Sequence, residues 1–190
     1  MAQVKKESVR ESILESANGL FTEKDYAATT LADIAKRASV TMSNIYNYFG
    51  SKLDILFAIY EPWLLARLDR LDAEIRSIEG PRAKLRHVLL TMLRDIPMEN
   101  NNFAINVLQA ISTRPAEEPY SRNLLLQSEA KLSAVLAAIL PGNVQKVVSD
   151  DLLSHLLFMA FDGFTVNFRL VGRSRRVEAI ADMLCDLVLG

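Results

Sequence analysis

Residues 30–49 read Thr30-Leu-Ala-Asp-Ile-Ala-Lys-Arg-Ala-Ser39-Val-Thr-Met-Ser-Asn-Ile-Tyr-Asn-Tyr-Phe49. Thr30 and Asp33 stand at the spacing of a capping box, so a helix begins at Leu31 and runs to about Ala38. Thr41 is a second N-cap, opening a helix over Met42 to Tyr48, and Gly50 is placed to end it as a C′ glycine. Ser39-Val40-Thr41 remains as a turn. Leu31, Ile34, Ala35, Val40, Ile45 and Phe49 fall on the inward side, while Met42, Ser43, Asn44, Tyr46 and Asn47 face out. Two short helices joined by a turn of this length have helix-turn-helix dimensions, in which the second helix enters a major groove. The outward set is neutral and mostly able to hydrogen-bond, which suits base edges and phosphate oxygens.

Upstream, Val9, Ile13, Leu14, Ala17, Leu20 and Phe21 recur at three- and four-residue spacing, which predicts a helix from about Lys5 to Thr22. Leu14, Ala17 and Phe21 would then close a small three-helix core with the inward set. Downstream, Ser51-Lys-Leu-Asp54 opens a long helix from Lys52 to about Ile78, with Pro62 expected to kink it. Further helices are expected over Pro81–Asp95, Asn101–Thr113, Pro119–Leu140, Asp150–Val171 and Arg175–Leu189, the last capped by Ser174. No alternating strand pattern competes. The fold class is all-α: an N-terminal three-helix DNA-binding module over residues 1–53, then a helical domain over 54–190.

The chain has 190 residues, half of them hydrophobic, with a formal net charge of −1. Any nucleic-acid contact must therefore come from a local arrangement of donors. Residues 1–52 carry Lys5, Lys6, Arg10, Lys24, Lys36, Arg37 and Lys52 against Glu7, Glu11, Glu15, Glu23, Asp25 and Asp33, a module close to neutral. One such module binds phosphates weakly, which argues for two acting together on a palindrome. The single cysteine, Cys185, reads as a packed hydrophobe in a reducing compartment. No apolar run reaches the roughly 18 residues of a membrane span, and no signal peptide is evident, so the expected location is cytoplasmic. The two histidines match no metalloenzyme spacing, and no phosphate-binding glycine loop or nucleophile motif occurs. The sequence therefore points to no enzyme, metal or cofactor.

The pattern Ile13-Leu14-x-x-Ala17-x-x-Leu20-Phe21, Tyr26-x-x-Thr29-Thr30-x-x-x-Ile34-Ala35, then Ala38-x-Val40-Thr41-x-x-x-Ile45-Tyr46-x-Tyr48-Phe49-x-Ser51-Lys52 resembles the N-terminal pattern of the tetracycline-repressor (TetR) family. The resemblance implies a ligand-responsive repressor that binds palindromic double-stranded operator DNA as a homodimer. An activator, or a protein of this fold acting through a protein partner, is the alternative. On matching positions, Thr30 would cap the second helix and aim it at a phosphate, and Thr41 would touch the DNA backbone. Met42, Ser43 and Asn44 would read bases. Tyr46, Asn47 and Tyr48 would grip phosphates, with Lys52 as a phosphate anchor. Ser39 stands where the family often has Gly, because the turn favours a left-handed backbone. Ser43 replaces another frequent Gly, and Tyr48 a frequent His.

The last two predicted helices are apolar enough either to fill a core or to form a symmetric four-helix interface, and the resemblance implies the interface. Its expected members are Leu153, Leu156, Leu157, Ala160, Gly163, Phe164, Ile180, Leu184 and Leu187. An effector site, small, mostly apolar and with a few polar groups, is expected to draw on His87, Thr91, Phe103, Asn106, Gln109, Phe158 and Asp162. That implies a small apolar or amphipathic effector. His155 and Asp162, seven apart on one helix, read as a hydrogen-bonded pair.

Overall fold

The computed structural model describes residues 2–99, 102–113, 123–142, 144, 151–172 and 174–190. Its helices are α1 (Ala2–Lys24), α2 (Leu31–Arg37), α3 (Met42–Tyr48), α4 (Lys52–Arg76), α5 (Pro81–Leu90), α6 (Phe103–Ser112), α7 (Asn123–Ile139), α8 (Leu152–Val171) and α9 (Val177–Leu189). No strand occurs among the described residues, so the protein is all-α. The starts expected at Asn101, Pro119 and Asp150 lie outside the described residues.

Two compact units emerge. One joins Met1–Pro62 with Asn100–Glu118, and the other joins Trp63–Glu99 with Pro119–Gly190. The first unit thus runs beyond the division expected at residue 53. It also takes in α6 from the middle of the sequence, because Phe103 stacks edge-on against Tyr60 and Asn106 bonds to its hydroxyl. A pattern read along the chain shows which face of α6 is apolar but not which helix covers it.

In the first unit, Ile13, Ala17, Leu20 and Phe21 of α1 meet Ile34, Ala35, Ile45 and Phe49 in a dry core. Leu14, Leu31 and Val40 are only half-buried, and Ile13 takes the central place. Burying Ile45 completely ties the short α3 to that core, since seven residues hold little helix stability of their own. Ser39 takes φ 55°, the left-handed turn its position calls for, at a cost on the order of 1 kcal/mol. Gly50 does not act as a left-handed C′ residue. α3 ends instead at Phe49 in an extended conformation, whose N–H still reaches Ile45 O.

In the second unit, α5 packs on α9 and α7, and α7 on α8. An ion-pair ladder fastens α9: Arg82 meets Asp186, Arg86 reaches Asp182 at 2.7 Å, and Arg94 reaches Glu178 at 3.2 Å. Cys185 lies buried between these pairs, and desolvation raises its thiol pKa, which keeps it protonated. The helix expected over Pro81–Asp95 ends in a π-helical turn, Thr91–Asp95, with Ile96 N–H bonded to Thr91 O. Thr91, Met92 and Leu93 of this turn are all buried, extending the buried run Val88, Leu89 and Leu90 at the end of α5. Ser174 is not the N-cap of α9, which starts at Val177. Its hydroxyl instead accepts from Arg176 N–H one turn earlier.

Candidate nucleic-acid interface

Both short helices are capped from their own sequence. Thr30 Oγ1 accepts from Asp33 N–H at 3.1 Å, and Asp33 Oδ2 accepts from both Thr30 N–H and the Thr30 hydroxyl. Those bonds hold the Asp33 carboxyl below its usual pKa. Thr41 repeats the arrangement with Asn44 at N3: its Oγ1 accepts from Asn44 N–H, and Asn44 Oδ1 accepts from Thr41 N–H and hydroxyl. The caps have a chemical consequence. The hydroxyl protons of Thr30 and Thr41 are already donated, so neither reaches a phosphate without opening its cap. Of the Asn44 amide, only Nδ2 remains to offer, a donor that suits purine N7 or O6 and thymine O4.

The rest of the outer face of α3 is open. Tyr46 is 57% exposed and Met42 37%. Ser43 and Asn47 are exposed as well, and Tyr48 is half-buried. An exposed row of hydroxyl, amide and phenol groups backed by Ile45 and Phe49 can donate to base edges and backbone oxygens alike.

Lys52 departs from the free phosphate anchor the sequence suggested. Its Nζ donates to Tyr26 O and Thr29 O, both at 2.7 Å, and sits 4.0 Å above the Tyr26 ring. Partial burial lowers its pKa. An ammonium has three protons, so one is left for a phosphate. Two are spent fastening the start of α4 to the α1–α2 corner. Other charges near this face are also engaged: Arg37 forms a forked pair with Glu23, and Arg10 stacks over Phe49.

The corner itself is gripped by α6. Asn106 is fully buried; its Nδ2 donates to Phe21 O and Tyr60 Oη, and its Oδ1 accepts from Tyr26 N–H at 2.7 Å. Asn102 Nδ2 donates to Thr22 O, and Gln109 Oε1 accepts from Ala27 N–H. These bonds correct the expectation that Asn106 and Gln109, with Phe103, line an effector site. Both ends of the Asn106 amide are taken up by backbone and the Tyr60 hydroxyl, Gln109 Oε1 by the Ala27 amide, and Phe103 is core. The amides' spacing at i, i+4 and i+7 was the available signal, but it does not name the surface they face.

Elsewhere, His87 Nε2 lies 2.9 Å from Glu74 Oε2, Thr91 and Phe158 are buried, and Asp162 is exposed. His155 pairs with Glu129 at 2.6 Å rather than with Asp162. Leu153 and Leu157 are buried within their own unit and leave the expected interface. The outward row on α8 is Leu152, Leu156, Met159, Gly163, Val166 and Leu170, continued on α9 by Met183 and Leu187. Ala160, Phe164, Ile180 and Leu184 are half-buried beside it. Among the described residues, no group of metal-ligating side chains gathers, and no helix is long and apolar enough to cross a membrane.

Comparison with known proteins reaches the same module. The family model described as "Bacterial regulatory proteins, tetR family" matches residues 13–59. The HTH-type transcriptional regulator HbdR of Aromatoleum sp. (strain CIB) is 35% identical over 83 residues, covering 44% of this chain and 36% of that relative's length. The TetR family transcriptional regulator PfmR of Thermus thermophilus is 29% identical, with a TM-score of 0.56 over 93% of both chains. A crystal structure of FadR from Bacillus subtilis in complex with stearoyl-CoA shares the fold, with a TM-score of 0.60, 19% identity, and coverage of 95% of this chain and 97% of that one. Capped helices, a left-handed turn at Ser39, the family match over residues 13–59 and likeness to PfmR along 93% of the chain agree: the N-terminal module is similar to that of the TetR family of bacterial regulatory proteins.

Proposed function

We propose that this protein is a cytoplasmic, effector-responsive transcriptional repressor that binds palindromic operator DNA as a homodimer. The observation that carries the reading is α3: Ile45 is fully buried while Met42, Ser43, Tyr46 and Asn47 stand exposed around it. A helix held only from behind, with uncharged hydrogen-bonding groups on its free side, is built to be inserted against a partner rich in donors and acceptors. Relatives named as transcriptional regulators support the same conclusion.

Dimerisation is supported by the outer row of α8 and α9. Leu152, Leu156, Met159 and Leu170 line one side of α8 and are each more than half exposed, an apolar face that a monomer rarely leaves in water, and Leu187 of α9 is exposed as well. Gly163 lies in that row, and a Cβ added there meets nothing within 4 Å. A mid-helix glycine costs about 1 kcal/mol against alanine, and nothing inside the subunit requires it. Close approach of a second α8 gives it a use.

An effector site is proposed in the second unit, where Thr91, Ser128 and Thr165 bury hydroxyls that no described group satisfies. Native interiors seldom leave such groups idle, and a small, mostly apolar ligand with one or two polar atoms would engage them. The reading is tested by enriching bound duplexes from a random library with the full chain. A two-fold symmetric consensus is expected. Enrichment of no sequence, or of an unsymmetric one, would refute it.

A further inference from the structure

We propose that Asn102, Asn106 and Gln109 are positioning residues for DNA recognition, making α6 a brace of the reading head; the inference rests on the DNA-binding reading above. Asn106 and Gln109 lie one turn apart on α6, and Asn102 is the residue that precedes its first turn, at φ 55°. Together they engage Phe21 O, Thr22 O, Tyr26 N–H and Ala27 N–H, the backbone groups where α1 ends and the corner turns. The end of a helix leaves its last carbonyls short of intrahelical donors; here Asn102 supplies one to Thr22 O, while Phe21 O accepts from Asp25 N–H and from Asn106. The corner needs such support, because Asp25 enters it at φ 76°, in the left-handed region a non-glycine residue holds only when its surroundings fix it.

Tyr26 is the shared piece. α6 holds its N–H from one side, and Lys52 holds its carbonyl and ring from the other. Lys52 also takes Thr29 O, the residue before the Thr30 cap of α2. The chain of contacts thus runs from α6 through Tyr26 to the starts of both α2 and α4. Asn106 is fully buried with both amide ends engaged, which leaves it no surface to offer to DNA. Its influence on binding is positional. Asn106 bonds to no residue of α3, so loosening the brace is expected to shift the orientation of the reading head before it unfolds α3.

The test uses the full chain, a duplex enriched by wild type from a random library, and a scrambled duplex of equal length. Asn102 is half-buried and Gln109 bonds an exposed amide, so Asn102→Ala with Gln109→Ala is a variant that keeps its fold. The double variant should bind the enriched duplex about tenfold more weakly and the scrambled one within about twofold, because lost register does not touch non-specific charge attraction. Hydrogen exchange should quicken at the Ala27 amide, whose acceptor is removed, and stay unchanged at Ile45. Gln109→Glu, which keeps the accepting oxygen, should restore protection at Ala27. Unchanged affinity for the enriched duplex, or equal loss on both duplexes, overturns the brace. A wild-type chain that enriches no duplex overturns the underlying DNA-binding reading instead.

Discussion

The outer face of α3 and the outer row of α8 and α9 are both exposed, yet water treats them oppositely. Around α3, exposed amides, hydroxyls and a phenol are well solvated. The face is stable as it stands and gains only when a partner offers matched hydrogen-bond groups. Along α8 and α9, leucines and methionines are exposed at a free-energy cost of about 25 cal/mol per Å² of apolar surface. That face gains from being covered, as in the proposed dimer. One surface is suited to binding that must be reversible and selective, the other to association that need not be either.

The comparison can be broken most severely from behind α3. Ile45→Ala removes the fully buried anchor and should cost about 2–5 kcal/mol in denaturant unfolding, a large part of ordinary domain stability. A loss below about 1 kcal/mol would mean that α3 is not held as described. Next in size, Leu156→Glu with Met159→Glu places two charges on the apolar row. Sedimentation should then report monomers where wild type gives dimers, with helix content by circular dichroism unchanged. Tyr46→Ala should do the reverse: leave the dimer and its thermal midpoint intact while weakening duplex binding about fivefold to tenfold. If Tyr46→Ala also dissociates the protein, the two faces are not independent.

The smallest expected effect sharpens the account of the caps. Hydrogen bonds from Thr30 hold the Asp33 carboxyl below its unfolded pKa, so its contribution is full above the unfolded value near pH 4. It is lost as pH falls through the lower folded value. The stability difference between wild type and Asp33→Ala should therefore be constant near neutrality and shrink below about pH 4. A difference that grows on acidification would show that the cap does not act through its carboxylate.

Much of the first unit was legible in order along the chain. Thr30 with Asp33 and Thr41 with Asn44 act within one helical turn of themselves, so their spacing was enough to mark both starts. Ser39 was legible as a left-handed position because turn length and backbone sterics leave little choice. The candidate site was less so. Asn44 and Lys52 looked free because sequence lists donors without showing what already occupies them, and their occupants are Thr41 and the carbonyls of Tyr26 and Thr29.

Reading along the chain was enough for most of the helices and for the N-caps of α2 and α3, because those depend on contacts a few residues long. Only tertiary structure decided which side of α8 turns inward, since leucines occur on both sides of it and periodicity cannot rank two faces that are both largely hydrophobic. It also decided that α6 serves the N-terminal unit: Asn106 lies 80 residues from Tyr26 in the chain, and no local rule reaches that far.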